Sequence, residues 1–285
     1  MKQLTLLLLA MILFLRAEAS STIDTGNRYA YGGNIGWLDW SGDTANGAVI
    51  GEYVCSGYIY SANVGWINCG NGSPTNNIQY QNLSAADFGV NNDGLGNLRG
   101  YAWGANIGWI NFESTGAPKV DLLTGKLSGY AYSANCGWIS LSNSVAYVQT
   151  DDIRQGALAP NGLPIAWLLN NFGTTNVDAS ADPDHDGSSN LQEYFAGTNP
   201  NDASDCLRIT SKSFASGGTN ATITWKSAST RFYYVQKTLS LTSPVWMDSN
   251  LGLIAPDGIS TTRSFNDTNA PMRFYRVRVV RPLMP

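Results

Sequence analysis

A chain of 285 residues with 43% hydrophobic and only 13% charged side chains has material for two or three small cores. Its net charge of −4 excludes a polybasic nucleic-acid binder. The charge is unevenly spread: residues 20–150 hold 4 basic and 8 acidic side chains, 151–205 hold 1 and 9, and 206–285 hold 10 and 3. The middle segment is thus an acidic island suited to a cation, while the basic tail reads as a solvated sheet face.

The first element is a secretory signal. Lys2 supplies a positive start and Leu6–Leu15 an apolar run too short to span a bilayer. Ala17-Glu18-Ala19 fits a cleavage site, so 1–19 is expected to be removed and the chain from Ser20 onward secreted or displayed at the cell surface. No later segment is apolar enough for a transmembrane helix.

Residues 20–150 carry one phrase four times. It begins at Tyr29, Tyr58, Tyr101 and Tyr130, and the second copy reads Tyr58-Ile-Tyr60-Ser-Ala-Asn63-Val-Gly65-Trp66. The spacings of 29, 43 and 29 residues indicate a duplicated pair of repeats. Each copy reads as a β-hairpin. Taking Ser61-Ala62-Asn63 as a three-residue loop puts Asn63 in the left-handed region, Tyr58 opposite Trp66 and Cys55 opposite Cys69. Ile59, Ile67, Cys55 and Cys69 then share one face, with Leu98 and Phe112, Leu127 and Leu141, and Gly26 and Trp40 as counterparts of the cysteines. That face is the expected core, and the glycine before each tryptophan is expected to point into it.

The other face gathers the aromatics, among them Tyr60, Trp66, Trp103, Trp109, Tyr132 and Trp138. Two readings stand: rings that stack on sugars or other planar apolar surfaces, and rings packed into a second core layer. Further strands are expected at 49–54, 88–90 and 120–123, giving an antiparallel meander of about ten strands as a sandwich or partly closed barrel. The phrase resembles the Gly-Tyr-Ala-Trp-Ser-x-Asn-x-Gly-Trp-Ile repeats of exported bacterial proteins of unknown role, a resemblance that implies no activity.

Four cysteines remain after the signal. Export permits disulfides, and Cys55–Cys69 is the expected bridge; the alternative is two small buried hydrophobes. Cys136 stands where other copies have Ile or Val and reads as a buried thiol, with a Cys136–Cys206 bridge as a further option.

Residues 151–205 read as a helix over about 164–172 followed by a cation loop. Asp182, Asp184, Asp186, Gly187, Ser188, Asn190 and Glu193 match D-x-D-x-D-G-x5-E in full. Alternate side chains converge on one ion, Gly187 makes the turn, Ser188 offers its carbonyl, and Glu193 closes the site from a helix. All-oxygen ligands select Ca2+. His185 is a spacer. The loop departs from an EF-hand, because the preceding helix ends nine residues upstream and Ser189 replaces the usual aliphatic. The run 182–200 resembles bacterial thrombospondin type 3-like calcium segments, which implies a stabilising role; a second ion could involve Asp178, Asp202 or Asp205.

Residues 206–285 alternate apolar and polar at Ala221–Trp225, Phe232–Gln236 and Phe274–Val279, as in a small antiparallel β-sandwich. The stretch from Trp167 to Val279 resembles an accessory tail of exported bacterial proteins.

For function, the sequence favours a non-enzymatic, calcium-stabilised β scaffold for cell-surface, adhesion or matrix contact. The alternative is a lectin-like carbohydrate binder using the repeat aromatics. An aspartate-based hydrolase is the weakest reading: G-x-S-x-G, H-E-x-x-H and a phosphate loop are missing, and Glu52 and Glu113 fall in different repeats.

Overall fold

A computed structural model describes residues 21–43, 45–215, 220–267 and 273–284; the signal segment lies outside them. The chain is mainly β. Its first half contains β1 (Ile23–Gly32), β2 (Gly36–Asp39), β3 (Ser56–Ser61), β4 (Gly65–Asn71), β5 (Val90–Asn92), β6 (Leu98–Gly104) and β7 (Gly108–Phe112). These are followed by β8 (Lys119–Val120), β9 (Leu127–Ser128), β10 (Tyr130–Ser133), β11 (Gly137–Ser140) and β12 (Val148–Thr150).

The four repeats are the hairpins β1–β2, β3–β4, β6–β7 and β10–β11, and together they close an eight-stranded antiparallel barrel. Every hairpin joins the next in the same register. Asp39 pairs with Tyr60, Asn68 with Trp103, Asn111 with Tyr132, and Ser140 returns to Tyr31. One repeated phrase therefore makes a near-fourfold ring with no open edge. Short outer strands add to it: β5 beside β6, and β12 beside β1. The first repeat is thus completed by a strand from the end of the domain.

The loop lies one residue later than the sequence suggested. Ser61 pairs with Gly65 and Tyr60, not Tyr58, faces Trp66. The left-handed residue is the glycine, with φ of 75°, 78°, 73° and 77° at Gly36, Gly65, Gly108 and Gly137. Moving the loop by one shifts the pairing by two, so the faces keep their assignment. The recurring asparagine does something else. Asn34 Nδ2 donates to the Cys136 carbonyl at 3.1 Å, Asn63 to Ile35 at 2.9 Å, Asn106 to Val64 at 3.0 Å and Asn135 to Ile107 at 3.0 Å. Each hairpin tip is latched to the tip before it, around the full circle. The glycine is accordingly fixed by backbone conformation and by the neighbouring latch rather than by core space.

Inside the barrel, equivalent positions stack in layers. Leu38, Ile67, Ile110 and Ile139 form one, Ala30, Ile59, Ala102 and Ala131 a second, and Trp40, Cys69, Phe112 and Leu141 a third; all are buried. Ile35, Val64, Ile107 and Cys136 close one end. Gly26 does not join them: it is exposed, because the β1–β12 pairing is irregular between Ile23 and Arg28. Each fully buried Leu or Ile contributes about 1.5–3 kcal/mol. A one-residue slip, which would turn these layers outward, is therefore strongly excluded.

After the barrel come α1 (Ile165–Phe172) and α2 (Asn190–Ala196). The C-terminal sandwich comprises β13 (Ile209–Phe214), β14 (Asn220–Lys226), β15 (Phe232–Thr238), β16 (Met247–Asp248), β17 (Ser260–Asn266) and β18 (Phe274–Val280). Its two three-stranded sheets, β13-β14-β17 and β16-β15-β18, enclose Ile223, Trp225, Tyr233 and Val235. A third core, of Leu163, Trp167, Leu168 and Tyr194, lies under the two helices.

Candidate functional site

The loop Asp182–Glu193 is shaped by its own amides. Gly187 N–H donates to Asp182 Oδ2 at 3.0 Å, Asp186 N–H to Asp184 Oδ1 at 3.2 Å and Ser188 N–H to Asp186 Oδ1 at 2.6 Å. Gly187 takes φ of 96°, as the turn requires. Each aspartate thereby fixes one oxygen on the backbone and leaves the other free. Ligand oxygens of the three aspartates lie within 4.8 Å of one another, while Glu193 is not within that spacing of all three.

The free oxygens are the informative ones. Asp182 Oδ1, Asp184 Oδ2, Asp186 Oδ2, Asn190 Oδ1 and Glu193 Oε2 are buried without a hydrogen-bond partner. Asn190 and Glu193 are fully buried, and Asn190 spends its amide on the Asp178 carbonyl at 2.8 Å. A buried acceptor left unpaired costs about 1–3 kcal/mol, more when charged, and a cation would relieve that cost. Burial foremost, and the carboxylates of Asp184, Asp186 and Asp182, push Glu193 up to about 7. Asp182, Asp184 and Asp186 could thus hold a metal ion. Ser188 stands half-buried in the loop, and His185 points outward.

Ser189, unusual for an EF-hand, is the N-cap of α2. It forms a capping box with Gln192, which sets Glu193 in the first helical turn. Asp178, Asp202 and Asp205, considered for a second ion, accept from Ser180, Ser204 and Asn199, and among the described residues they form no cluster of ligand spacing. Among the described residues, only Asp182, Asp184 and Asp186 form a cluster that could hold a metal.

Beyond Glu193 the chain enters a junction that sequence reasoning missed. The Tyr194 hydroxyl donates to Glu52 Oε2 of the barrel at 2.8 Å. Arg281, from the end of the chain, reaches the same oxygen at 3.1 Å and lies over the Tyr194 ring. Arg231 of the sandwich donates to the Tyr194 carbonyl at 2.6 Å and the Phe195 carbonyl at 2.8 Å, at the C-terminal end of α2. Burial and Glu52 push the Tyr194 phenol up, so it remains a donor. Residues 142 and 229 positions apart in the chain meet here, which no local pattern announces.

The repeat aromatics lie on the outside of the barrel. Tyr31, Trp37, Tyr60, Trp66, Trp103, Trp109, Tyr132 and Trp138 are 37–48% exposed. Each tryptophan meets its cross-strand partner at nearly one distance: 4.9 Å for Tyr31–Trp37, Tyr60–Trp66 and Tyr132–Trp138, and 4.7 Å for Trp103–Trp109. Neighbouring rings fix each other's orientation and leave a surface available. Both readings of this face therefore stand: the rings pack across strands and remain partly exposed.

All four cysteines are free and buried. The expected Cys55–Cys69 bridge is not formed: the strands shift register between Ser56 and Tyr58, and Cys55 lies beyond the ladder with its N–H on the Val90 carbonyl. Burial pushes the Cys55 thiol up to about 12, so it behaves as a small hydrophobe. Cys136 completes the apolar end layer of the barrel, while Cys206 lies beside Asp186; neither bridges the other.

No helix among the described residues is long and apolar enough to cross a membrane. No family model, curated protein or solved structure matches this chain.

Proposed function

We propose that this chain is an exported, non-enzymatic β scaffold stabilised by Ca2+ and used for contact at a cell surface or in an extracellular matrix. The observation that carries the reading is the set of five partnerless buried oxygens on Asp182, Asp184, Asp186, Asn190 and Glu193. Hard oxygen donors favour Ca2+ over softer metals. When bound, the ion would neutralise the clustered carboxylates and tie Glu193 to the loop. Helix α2 follows directly, and its Tyr194 and terminal carbonyls engage Glu52 of the barrel and Arg231 of the sandwich. Calcium would accordingly stiffen the place where three parts of the molecule meet. Titration calorimetry of metal-stripped protein is expected to give one Ca2+ per chain, with Kd in the range of about 10⁻⁴–10⁻³ M for an extracellular module. Absence of saturable binding would refute the reading.

A second reading, a lectin-like carbohydrate binder, is favoured by the exposure of the aromatic belt, since rings displayed together mark an interaction surface. The hydrolase alternative gains no comparable support. Asp39 pairs with Arg28, Asp267 with Lys237 and Glu52 with Arg281, while Asp121 and Asp178 accept from their own turns.

A further inference from the structure

The four hairpins repeat the same aromatic face, but one of them has acquired a wall. The spacing of 43 residues before the third copy, against 29 elsewhere, reflects an insertion between β4 and β5. That insertion folds beside Trp109 and encloses an open cleft of about 460 Å³ lined by Asn82, Leu83, Ser84, Ala85, Phe88, Tyr101 and Trp109.

The wall is held in place. Asp87, itself buried, accepts from Thr75 N–H at 3.2 Å, Thr75 Oγ1 at 2.9 Å and Gln81 N–H at 3.1 Å. Asn82 Oδ1 accepts from Gly89 N–H at 3.0 Å. The floor is equally fixed. Trp109 meets Phe88 edge-on at 5.1 Å and 82°, Tyr101 at 5.9 Å and 70°, and Trp103 at 4.7 Å and 63°. Trp109 nevertheless remains 42% exposed. A preorganised site loses little freedom on binding.

Its chemistry narrows the occupant. No lining residue is charged, so nothing there rewards an anionic or cationic ligand. The volume lies within the usual range for small-molecule sites, about 300–1,000 Å³, yet the cleft opens to solvent and would bury one side of a ligand only. A sugar ring has this form: an apolar C–H face that can rest on an indole, and hydroxyls at its edge that meet water, the Ser84 hydroxyl and the Tyr101 phenol. Repetition of the ring along a polymer would allow neighbouring rings of the belt to add contacts. We infer that the Trp109 cleft is a binding subsite for one pyranose unit of a neutral polysaccharide. This rests on the lectin-like reading and names the place on the belt where recognition is concentrated.

The test is calorimetric titration of the full secreted chain, with calcium present, using cellohexaose, maltohexaose and N-acetylchitohexaose. At least one should bind saturably, with Kd of order 0.1–1 mM for a single shallow site. Trp109→Ala is expected to weaken it about tenfold or more. Ala85→Trp fills the cleft from an exposed wall position and should do the same without touching a core residue, which guards against a folding defect. Val145→Ser, at an exposed position on another loop, should bind as the parent does. Unchanged binding in both Trp109→Ala and Ala85→Trp would overturn the cleft while leaving the belt as a surface. A loss as large in Trp138→Ala as in Trp109→Ala would also overturn it in favour of the whole belt. Failure of all three sugars to bind would overturn both.

Discussion

The hairpin tips of the barrel and the loop before α2 both gather polar side chains at one point, yet they differ in what those side chains meet. At the tips, each of four asparagine amides donates to a carbonyl of the adjacent tip. In the loop, oxygens of Asp182, Asp184 and Asp186 gather within 4.8 Å of one another, and five oxygens from as many residues meet no donor. Polar repetition with internal partners is structure, whereas buried polar groups without partners need a further explanation, for which we propose a cation. The same recurrence in sequence can mean either, and only the account of donors and acceptors separates them.

That contrast can be broken in several ways. The largest effect is expected where the barrel meets helix α2. Glu52→Ala leaves Arg281 and Arg231 buried without their carboxylate, and should cost about 3–5 kcal/mol, read by chemical denaturation. A loss below about 1 kcal/mol would mean that the junction carries no weight in holding the parts together. Next comes the latch: Asn63→Ala removes one tip-to-tip hydrogen bond and should cost about 0.5–1.5 kcal/mol, equally with calcium or with chelator. A calcium-dependent loss would show that the barrel and the loop are not distinct in kind.

A smaller effect concerns pH. Glu193 is held at about 7 in the fold against an ordinary 4.5, so the metal-free fold prefers it protonated. The unfolded chain releases that proton first, and stability of the metal-free protein should fall as pH rises from about 4.5 through 7. Saturating calcium should abolish this slope. Parallel slopes with and without calcium would place the titration elsewhere.

Much of the barrel was legible because its period of two and its fourfold phrase are local facts. Even with the loop misplaced by one residue, Ile59 and Ile67 kept their face, since the error moved the pairing by an even number. The acidic cluster of Asp182, Asp184 and Asp186 was legible for a similar reason: its residues lie within five successive positions. What escaped was set by partners distant in the chain. Asn34 is latched across 102 residues, Glu52 meets Arg281 across 229, and closure of the barrel by Ser140 on Tyr31 depends on all four repeats being in place. The Cys55–Cys69 bridge failed on an irregularity between Ser56 and Tyr58 that alternation alone does not reveal. The aromatic belt was visible as a face, but its exposure depended on whether another layer would cover it.

The most direct test of the account is the melting temperature of Asp186→Asn beside the parent, in calcium and in chelator. At calcium about 100-fold above Kd, the parent should gain about 2.7 kcal/mol over its chelated form, a rise of several degrees. Asp186→Asn should lose that gain yet melt at or above the parent in chelator, because one of the mutually repelling carboxylates has been removed. A parent that melts at one temperature in both conditions, or a variant destabilised equally in both, would contradict the claim that these oxygens await a cation.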